Sequence, residues 1–269
     1  MKKHLLKTLA RTLIVGCLLY IPVPSNAWGL LGHRIVGEIA SGYLSAKAKA
    51  SVQSILGNES LAMSANWADF IKSDTAYKYL DAWHYVNFDS GLLYNEMKTF
   101  LKSDTSVNAY TKLNFLMSEL KKKNLPNDKK VMYLRLLVHI VGDLHQPLHA
   151  SAKGDRGGND IKVQWFSQAT NLHSLWDSGL LEFQQLSYTE YARAINFVTP
   201  QRKAKLLSQP ISEWLHESYV LSDTIRHEIT QPNQRLGYEY NFRYLAKMND
   251  QLLKGGIHLA AILNQVFGS

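Results

Sequence analysis

The segment Val138–Ser151 reads VHIVGDLHQPLHAS and places three histidines and one aspartate among aliphatic residues. His139 and Asp143 are four residues apart, so on a helix their side chains project from the same face. Polar groups in an apolar setting destabilise a fold unless a partner satisfies them. An imidazole and a carboxylate one helical turn apart form a chelating pair that suits zinc.

A second pair, His173 and Asp177, repeats this spacing. Either pair alone is weak evidence for a metal, because hydrogen bonds between core residues use the same spacing. Five histidines and three aspartates in apolar segments are, however, more polar groups than one core normally buries. The combination predicts a multinuclear metal site built from His33, Asp69, His84, His139, Asp143, His149, His173 and Asp177.

The first 27 residues have the features of a secretory signal peptide. A basic start is followed by the apolar segment Thr12–Val23 and by small residues at Ser25 and Ala27. The apolar segment is short for a membrane span, so we expect cleavage after Ala27 and no membrane anchor afterwards. The mature protein would then be periplasmic or extracellular. A lipoprotein motif ending at Cys17 is the alternative, but it would leave almost no apolar segment before the cysteine.

Composition bounds the remaining chain. A length of 269 residues with 46% hydrophobic content suits one large domain, which we expect to be residues 28–269. The net charge of the full sequence is +8, which favours polyanionic partners, either nucleic acid or anionic lipid, but part of this charge lies in the N-terminal segment that would be removed. Cys17 is the single cysteine, so the processed protein would have no disulfide. A large hydrophobic core or a bound metal would have to stabilise it instead.

Helical periodicity dominates, and only 7 prolines and 16 glycines argue against a many-stranded β architecture. We therefore predict a mainly α, single-domain helical fold. The exception is Gly157–Phe166, whose glycines lead into an alternating run that indicates a short strand or hairpin. The expected helices are His33–Leu56, Tyr110–Leu120, a helix capped by Asp128 and ending near Leu144, Ser174–Gln184, Ile211–Ile229 and Phe242–Val266.

Six motifs follow one another along the chain, namely WGLLGHR, WADFIKSD, AWHYVNF, HIVGDLHQPLH, GGND and NLHSLWD. Together they resemble the S1/P1 nuclease family of zinc nucleases, whose fold is related to bacterial zinc phospholipase C. The resemblance implies three zinc ions and hydrolysis of single-stranded DNA and RNA to 5′-phosphate and 3′-hydroxyl ends. Additional 3′-nucleotidase activity, and the preference between DNA and RNA, stay open at this point.

The resemblance also assigns the metal ligands. It implies that the first zinc is bound by Asp69, His84, His139 and Asp143, and the second by His149, His173 and Asp177. The third would be bound by the α-amino group and carbonyl oxygen of Trp28, by His33 and by Asp143 as a bridging ligand. Only cleavage immediately before Trp28 would create that terminal chelate, and the metal must displace the proton of the α-amino group.

Substrate contacts are assigned in the same way. Lys72 matches a basic family position that contacts phosphate, although a plain surface lysine is the alternative. Tyr85 would stack on a base, and Asn159 would hydrogen-bond a base edge. Asp89 lies where some members have an acidic residue near the attacking water, but the loop after Asn87 departs from the fungal pattern and lacks an expected lysine.

His145 has no ligand role in the family pattern, and we expect it to hydrogen-bond beside the metal ligands. His216, His227 and His258 lie on predicted helices and are expected to be structural. We expect a monomer with no stable protein partner.

Two other functions compete. Zinc phospholipase C shares the zinc chemistry, but it carries glutamate where this chain has Asp177, and the short interval from Trp28 to His33 is typical of the nucleases. A secreted protein that binds zinc only for structure is the other alternative. Structural sites are usually closed by four protein ligands, whereas the second set here has three, which leaves a position for substrate.

Overall fold

The computed structural model describes residues 28–268, and the predicted signal peptide and its cleavage site lie outside the described residues. The mainly α prediction is confirmed. The α-helices are α1 (Leu30–Ser41), α2 (Ala46–Leu56), α3 (Leu61–Ser64), α4 (Trp67–Phe70), α5 (Tyr94–Ser103), α6 (Ala109–Leu120), α7 (Asn127–Asp143), α8 (Leu172–Ser174), α9 (Leu180–Glu182), α10 (Tyr188–Ile195), α11 (Pro200–Ser208), α12 (Ile211–His227) and α13 (Tyr238–Phe267).

Tighter and wider helical turns join some of these elements. The 3₁₀ segments are Ile71–Ser73, Thr75–His84 and Pro147–His149, and the π-helical segment Leu175–Gly179 connects α8 to α9. The strands are β1 (Val86–Phe88), β2 (Ala150–Ala152), β3 (Lys162–Trp165), β4 (Gln168–Asn171) and β5 (Gln234–Leu236). Within residues 28–268, no helix combines the length and the apolar composition needed to cross a membrane.

The C-terminal helix α13 forms the centre of the hydrophobic core. It has 30 residues and packs against α1, α2, α7 and α11. Buried residues from Trp28 to Val266 belong to one hydrophobic cluster that includes much of this helix. The sequence predicts this helix as Phe242–Val266, and the structure extends it by one turn at its N-terminus. Helix α7, which carries His139 and Asp143, is therefore packed on a rigid support.

Three predicted helices need correction. The stretch His33–Leu56 is broken after Ser41, because Ser45 caps a new helix by accepting a hydrogen bond from the Ala48 amide at 3.2 Å. Asp128 does not cap α7, which begins at Asn127 with Pro126 in the cap position.

The third correction concerns Ser174–Gln184. Its first half widens into the π-helical segment, and such insertions are frequent at functional sites.

The strands form two small sheets. β1 and β2 pair in parallel, whereas β3 pairs antiparallel with β4 and parallel with β5. The predicted hairpin is therefore confirmed in kind, but its strand begins at Lys162, because Gly157 and Gly158 adopt positive φ angles of 61° and 79° in a loop. The pairing of β3 with β5 is not apparent from sequence.

The expectation that His145 hydrogen-bonds beside the metal ligands needs correction, because the partners of its ring lie in the core. Its Nδ1 donates to the Val141 carbonyl at 2.7 Å, so its Nε2 accepts from His258 Nδ1, also at 2.7 Å. Trp214 stacks on His258 with ring centroids 4.3 Å apart. Burial lowers the pKa of His145 to about 4 and holds the pKa of His258 well below its usual range.

Replacing His258 with leucine should destabilise the protein by about 1–3 kcal/mol at pH 8, because His145 Nε2 is left buried and unpaired. A depressed folded-state pKa contributes stability above the unfolded-state pKa and loses it as pH falls. The difference in the free energy of unfolding between wild type and His258→Leu should therefore become smaller below pH ~6.5, as measured by urea unfolding. His227→Leu is the control, since His227 is largely exposed. If the difference in unfolding free energy stays constant with pH, His145 and His258 do not pair as neutral imidazoles.

Candidate metal centre

The carboxylate of Asp143 is fully buried at the meeting point of several elements. Its oxygens lie 3.4 Å from His33 Nε2, 3.0 Å from His84 Nδ1, 3.2 Å from His139 Nε2 and 3.7 Å from His149 Nδ1. Only His139 shares a helix with Asp143. The cluster is thus assembled by tertiary packing around one local pair.

Helices α1 and α4 complete the first side of the cluster. Asp69 Oδ1 lies 3.7 Å from His139 Nε2, and the His33 ring stacks on His139 with centroids 3.8 Å apart. The sequence predicts close approach of another backbone at Gly142. The structure corrects this, because a Cβ there would lie 2.7 Å from His33 Nδ1, so the glycine makes room for an imidazole ring.

The second side of the cluster uses the other local pair. His173 Nε2 lies 3.1 Å from Asp177 Oδ2, and His149 Nε2 lies 3.8 Å from Asp177 Oδ1. The π-helical segment carries Asp177, whose carbonyl accepts a hydrogen bond from the Gly29 amide at 2.7 Å. The buried Trp28 at the start of the described chain is thereby held beside this group.

Two short parallel strands position the two sides relative to each other. β1 begins two residues after His84, and β2 begins directly after His149. Their pairing, Val86 opposite Ala150, brings these histidines together. His149 Nδ1 then donates to the His84 carbonyl at 2.7 Å.

Backbone carbonyls fix the tautomers of three histidines. The Nδ1 atoms of His139, His149 and His173 each lie 2.7 Å from a carbonyl oxygen, those of Ala65, His84 and Gly157 respectively. A carbonyl only accepts, so each Nδ1 carries the proton and each Nε2 presents a lone pair. This is the arrangement that orients histidine for metal coordination.

Several buried polar atoms lack hydrogen-bond partners, which is expensive in a native fold. Within the cluster they are both ring nitrogens of His33, Asp69 Oδ2, His84 Nε2, Asp143 Oδ1 and His149 Nε2. The side chains form three buried groups that could hold a metal ion, namely His33 with Asp69 and His139, His84 with His139 and Asp143, and His149 with His173 and Asp177. Nitrogen and carboxylate donors at these positions fit zinc.

The electrostatics of the cluster favour the metal-binding form of Asp143 and His84 but not of every candidate ligand. Burial alone would lower the pKa of His139 and His173, but the carboxylates of Asp143 and Asp177 beside them raise it, so a metal would have to displace a proton from these two rings. Burial alone would raise the pKa of Asp143, but His139 and His149 beside it hold that pKa well below its usual range. Burial lowers the pKa of His84 to about 4. An ionised carboxylate and a neutral imidazole are the forms that bind metal.

Two supporting residues were missed from the sequence. Gln146 is fully buried, donates its side-chain amide to Asp177 Oδ1, and accepts from the Leu148 amide at 2.5 Å. Gly157, which offers its carbonyl to His173, has a φ of 61°, and a Cβ there would lie 2.5 Å from the Leu148 carbonyl. The sequence offered one indication of the role of Gln146, namely a polar amide side chain between residues that are expected to be buried.

A cavity of about 560 Å³ opens onto the cluster. Among its walls are the predicted substrate contacts Lys72, Tyr85 and Asn159, together with His84, His149 and His173. Lys72 also pairs with Asp69 at 2.6 Å. Residues that the sequence analysis did not single out line it too, namely Asp81, Asn87 and Arg156.

Asp89 is placed differently from its prediction. Its side chain is 75% exposed, pairs with Lys153 at 2.9 Å, and is not among the residues that line the cavity. Its predicted catalytic role therefore remains only a prediction.

Comparison with known proteins gives a consistent result. The family model described as S1/P1 Nuclease matches residues 28–268. The chain is 30% identical to Endonuclease 4 of Arabidopsis thaliana over 90% of each chain. It is 28% identical to Nuclease P1 of Penicillium citrinum, covering 90% of this chain and 98% of the relative. It is also 30% identical to Nuclease S1 of Aspergillus oryzae, covering 85% and 76%.

Replacing Asp143 with asparagine tests whether one carboxylate serves several groups. We expect this variant to lose about twice as much bound zinc as Asp177→Asn, because Asp143 faces both sides of the cluster and Asp177 only one. Elemental analysis of purified protein gives the zinc content, and circular dichroism confirms folding. Equal losses in the two variants would show that Asp143 is not shared.

Proposed function

We propose that this chain, which belongs to the S1/P1 nuclease family, uses three zinc ions to cleave phosphodiester bonds in single-stranded DNA and RNA. The protein is a nuclease of the S1/P1 type and hence a hydrolase acting on ester bonds. The observation that best supports the proposal is the buried Asp143 carboxylate, which faces histidines from four separate segments. The metal count, the ligand sets and the substrate form are the proposed parts.

Each proposed zinc has its own ligand set. The first is bound by Asp69, His84, His139 and Asp143, and the second by His149, His173 and Asp177. The third is bound by His33, Asp143 and the terminal amine and carbonyl of Trp28. Unpaired buried atoms on His33, Asp69, Asp143 and His149 support this assignment, since coordination would satisfy them.

Bound zinc supplies Lewis acidity, which activates water and neutralises charge on the phosphate. The protein's own groups do the positioning. The Ala65, His84 and Gly157 carbonyls keep three histidines in the tautomer that leaves Nε2 free. Gln146 holds the Asp177 carboxylate in place.

The cavity walls are suited to an unpaired nucleotide. Lys72 contacts the phosphate, Tyr85 stacks on a base, and Asn159 hydrogen-bonds a base edge in this proposal. The exposed ring of Tyr85 and the amide of Asn159 both line the cavity with His84 and His149. A base can enter only when it is unstacked, so single strands react without the cost of opening a duplex.

The products are proposed to carry 5′-phosphate and 3′-hydroxyl ends, with some 3′-nucleotidase activity. We further propose that residues 1–27 are removed on export, so that residues 28–269 act as a monomeric periplasmic or extracellular domain. Cleavage before Trp28 frees the amine on which the third ligand set depends.

Metal analysis of protein that begins at Trp28, paired with digests, tests the proposal. We expect about three zinc per chain, rapid cleavage of denatured DNA and of RNA, and slow cleavage of duplex DNA. Phosphatidylcholine should stay intact. Lipid cleavage with intact DNA would identify a phospholipase instead, and full zinc content without any cleavage would identify a structural metal protein.

A protein with one extra methionine before Trp28 should lose zinc and most of its activity, because the terminal amine becomes an amide that cannot bind metal. The loss should be about one zinc per chain. Zinc content and the initial rate on single-stranded DNA provide the measurement. A matched control carries the methionine at the C-terminus. Normal zinc content and rate in the N-terminal variant would refute the role given to Trp28.

A further inference from the structure

The 3₁₀ helix Thr75–His84 connects the metal cluster to the surface. It has ten residues, which is long for a 3₁₀ segment, and it ends at His84. With three residues per turn, every third side chain lies on the same face. Burial follows this period, because Leu80 and Trp83 are buried and Tyr77 is partly buried against the core.

A second face of this helix leads to the cavity. Asp81 and His84, three residues apart, both line it. Tyr79 lies on the third face and is 55% exposed, whereas Tyr85 follows the helix in extended backbone and is 42% exposed. Since Asp81 lines the cavity two residues after Tyr79, the surface that carries Tyr79 adjoins the site where substrate would bind.

An aromatic surface surrounds Tyr79. Its ring lies 6.0 Å from that of Trp83, and Trp83 lies 6.4 Å from Phe115 on α6. Lys112 Nζ lies 5.0 Å from the Trp83 ring and 5.5 Å from the Phe115 ring. Phe115 is 38% exposed. Two exposed rings, those of Tyr79 and Phe115, thus contact the Trp83 ring, which is only 7% exposed, and Lys112 lies over that buried ring.

We infer that Tyr79, Phe115 and Lys112, which are supported by the buried ring of Trp83 and are here called the aromatic platform, bind the part of a single-stranded polynucleotide that continues out of the cavity. Exposed aromatic rings stack on bases of any sequence, and lysine attracts the phosphate backbone. This inference rests on the proposed function and extends it, because the platform makes the enzyme favour long strands over short ones.

The distances suit this occupant. Five residues at a rise of about 2 Å place Tyr79 roughly 10 Å from His84, the last residue of the helix. Stacked nucleotides advance by about 3.4 Å each, so about three nucleotides span the interval. The positive charge of Lys112 opposes the binding of a cationic partner and favours a polyanion.

Substrate length provides the test. Steady-state kinetics of the zinc-loaded enzyme are compared on a dinucleoside monophosphate and on a single-stranded 15-mer. Tyr79→Ala should raise KM for the 15-mer about tenfold, the effect expected from losing one stacked base, and leave KM for the dinucleotide within about twofold. Tyr79→Phe, which keeps the ring, should behave like wild type. Lys112→Gln should weaken the salt dependence of KM for the 15-mer only.

Phe197→Ala is the matched control, because Phe197 is an exposed ring (76%) that lies after α10 and does not line the cavity. If wild type and Tyr79→Ala have equal KM on the 15-mer, the aromatic platform does not bind substrate, while the proposed function stands. If Tyr79→Ala raises KM equally for the 15-mer and the dinucleotide, the platform is refuted in the same way. If the zinc-loaded wild type cleaves neither substrate, the proposed function fails and the platform fails with it.

Discussion

The buried carboxylate of Asp143 is the constraint on which the rest of the molecule depends. Removing a charge from water is costly unless partners in the interior compensate it. Here the compensation comes from histidines on α1, on the 3₁₀ helix Thr75–His84, on α7 and on the turn before β2. His33 and His84 come from segments that are distant in sequence, so α1 and the 3₁₀ helix must both pack against α7 around this one group.

The scaffold also decides the chemistry that the cluster can perform. Histidines near an anion would ordinarily gain protons, and protonated rings cannot bind metal. Backbone carbonyls fix the first proton on Nδ1 of His139, His149 and His173, so Nε2 is the nitrogen at which a metal would take the place of a second proton. Main-chain geometry therefore orients these candidate ligands. The core around α13 keeps that geometry rigid.

The cavity beside the cluster has walls of mixed chemistry. Cationic side chains, a half-exposed aromatic ring and amide side chains line it, and these are the groups that would bind the phosphate and the base of a nucleotide. Membership of the S1/P1 nuclease family fits this division between a buried, shared carboxylate and an open, mixed surface. The 3₁₀ helix that ends at His84 joins the two, since one of its faces is core, one leads to the cluster and one faces solvent.

The sequence by itself determined the local pairs and the mainly helical fold. A helix fixes the geometry of residues four apart, so His139 with Asp143 and His173 with Asp177 follow directly from spacing. The motifs also predicted the remaining candidate ligands through family resemblance, and the structure gathers His33, Asp69, His84 and His149 with these pairs into three groups that could hold a metal ion. Only the tertiary structure decided which distant groups meet. His145 pairs with His258 across 113 residues, Gln146 holds Asp177, and Arg156 reaches the cavity. These contacts depend on how whole elements pack, and no local periodicity encodes that packing.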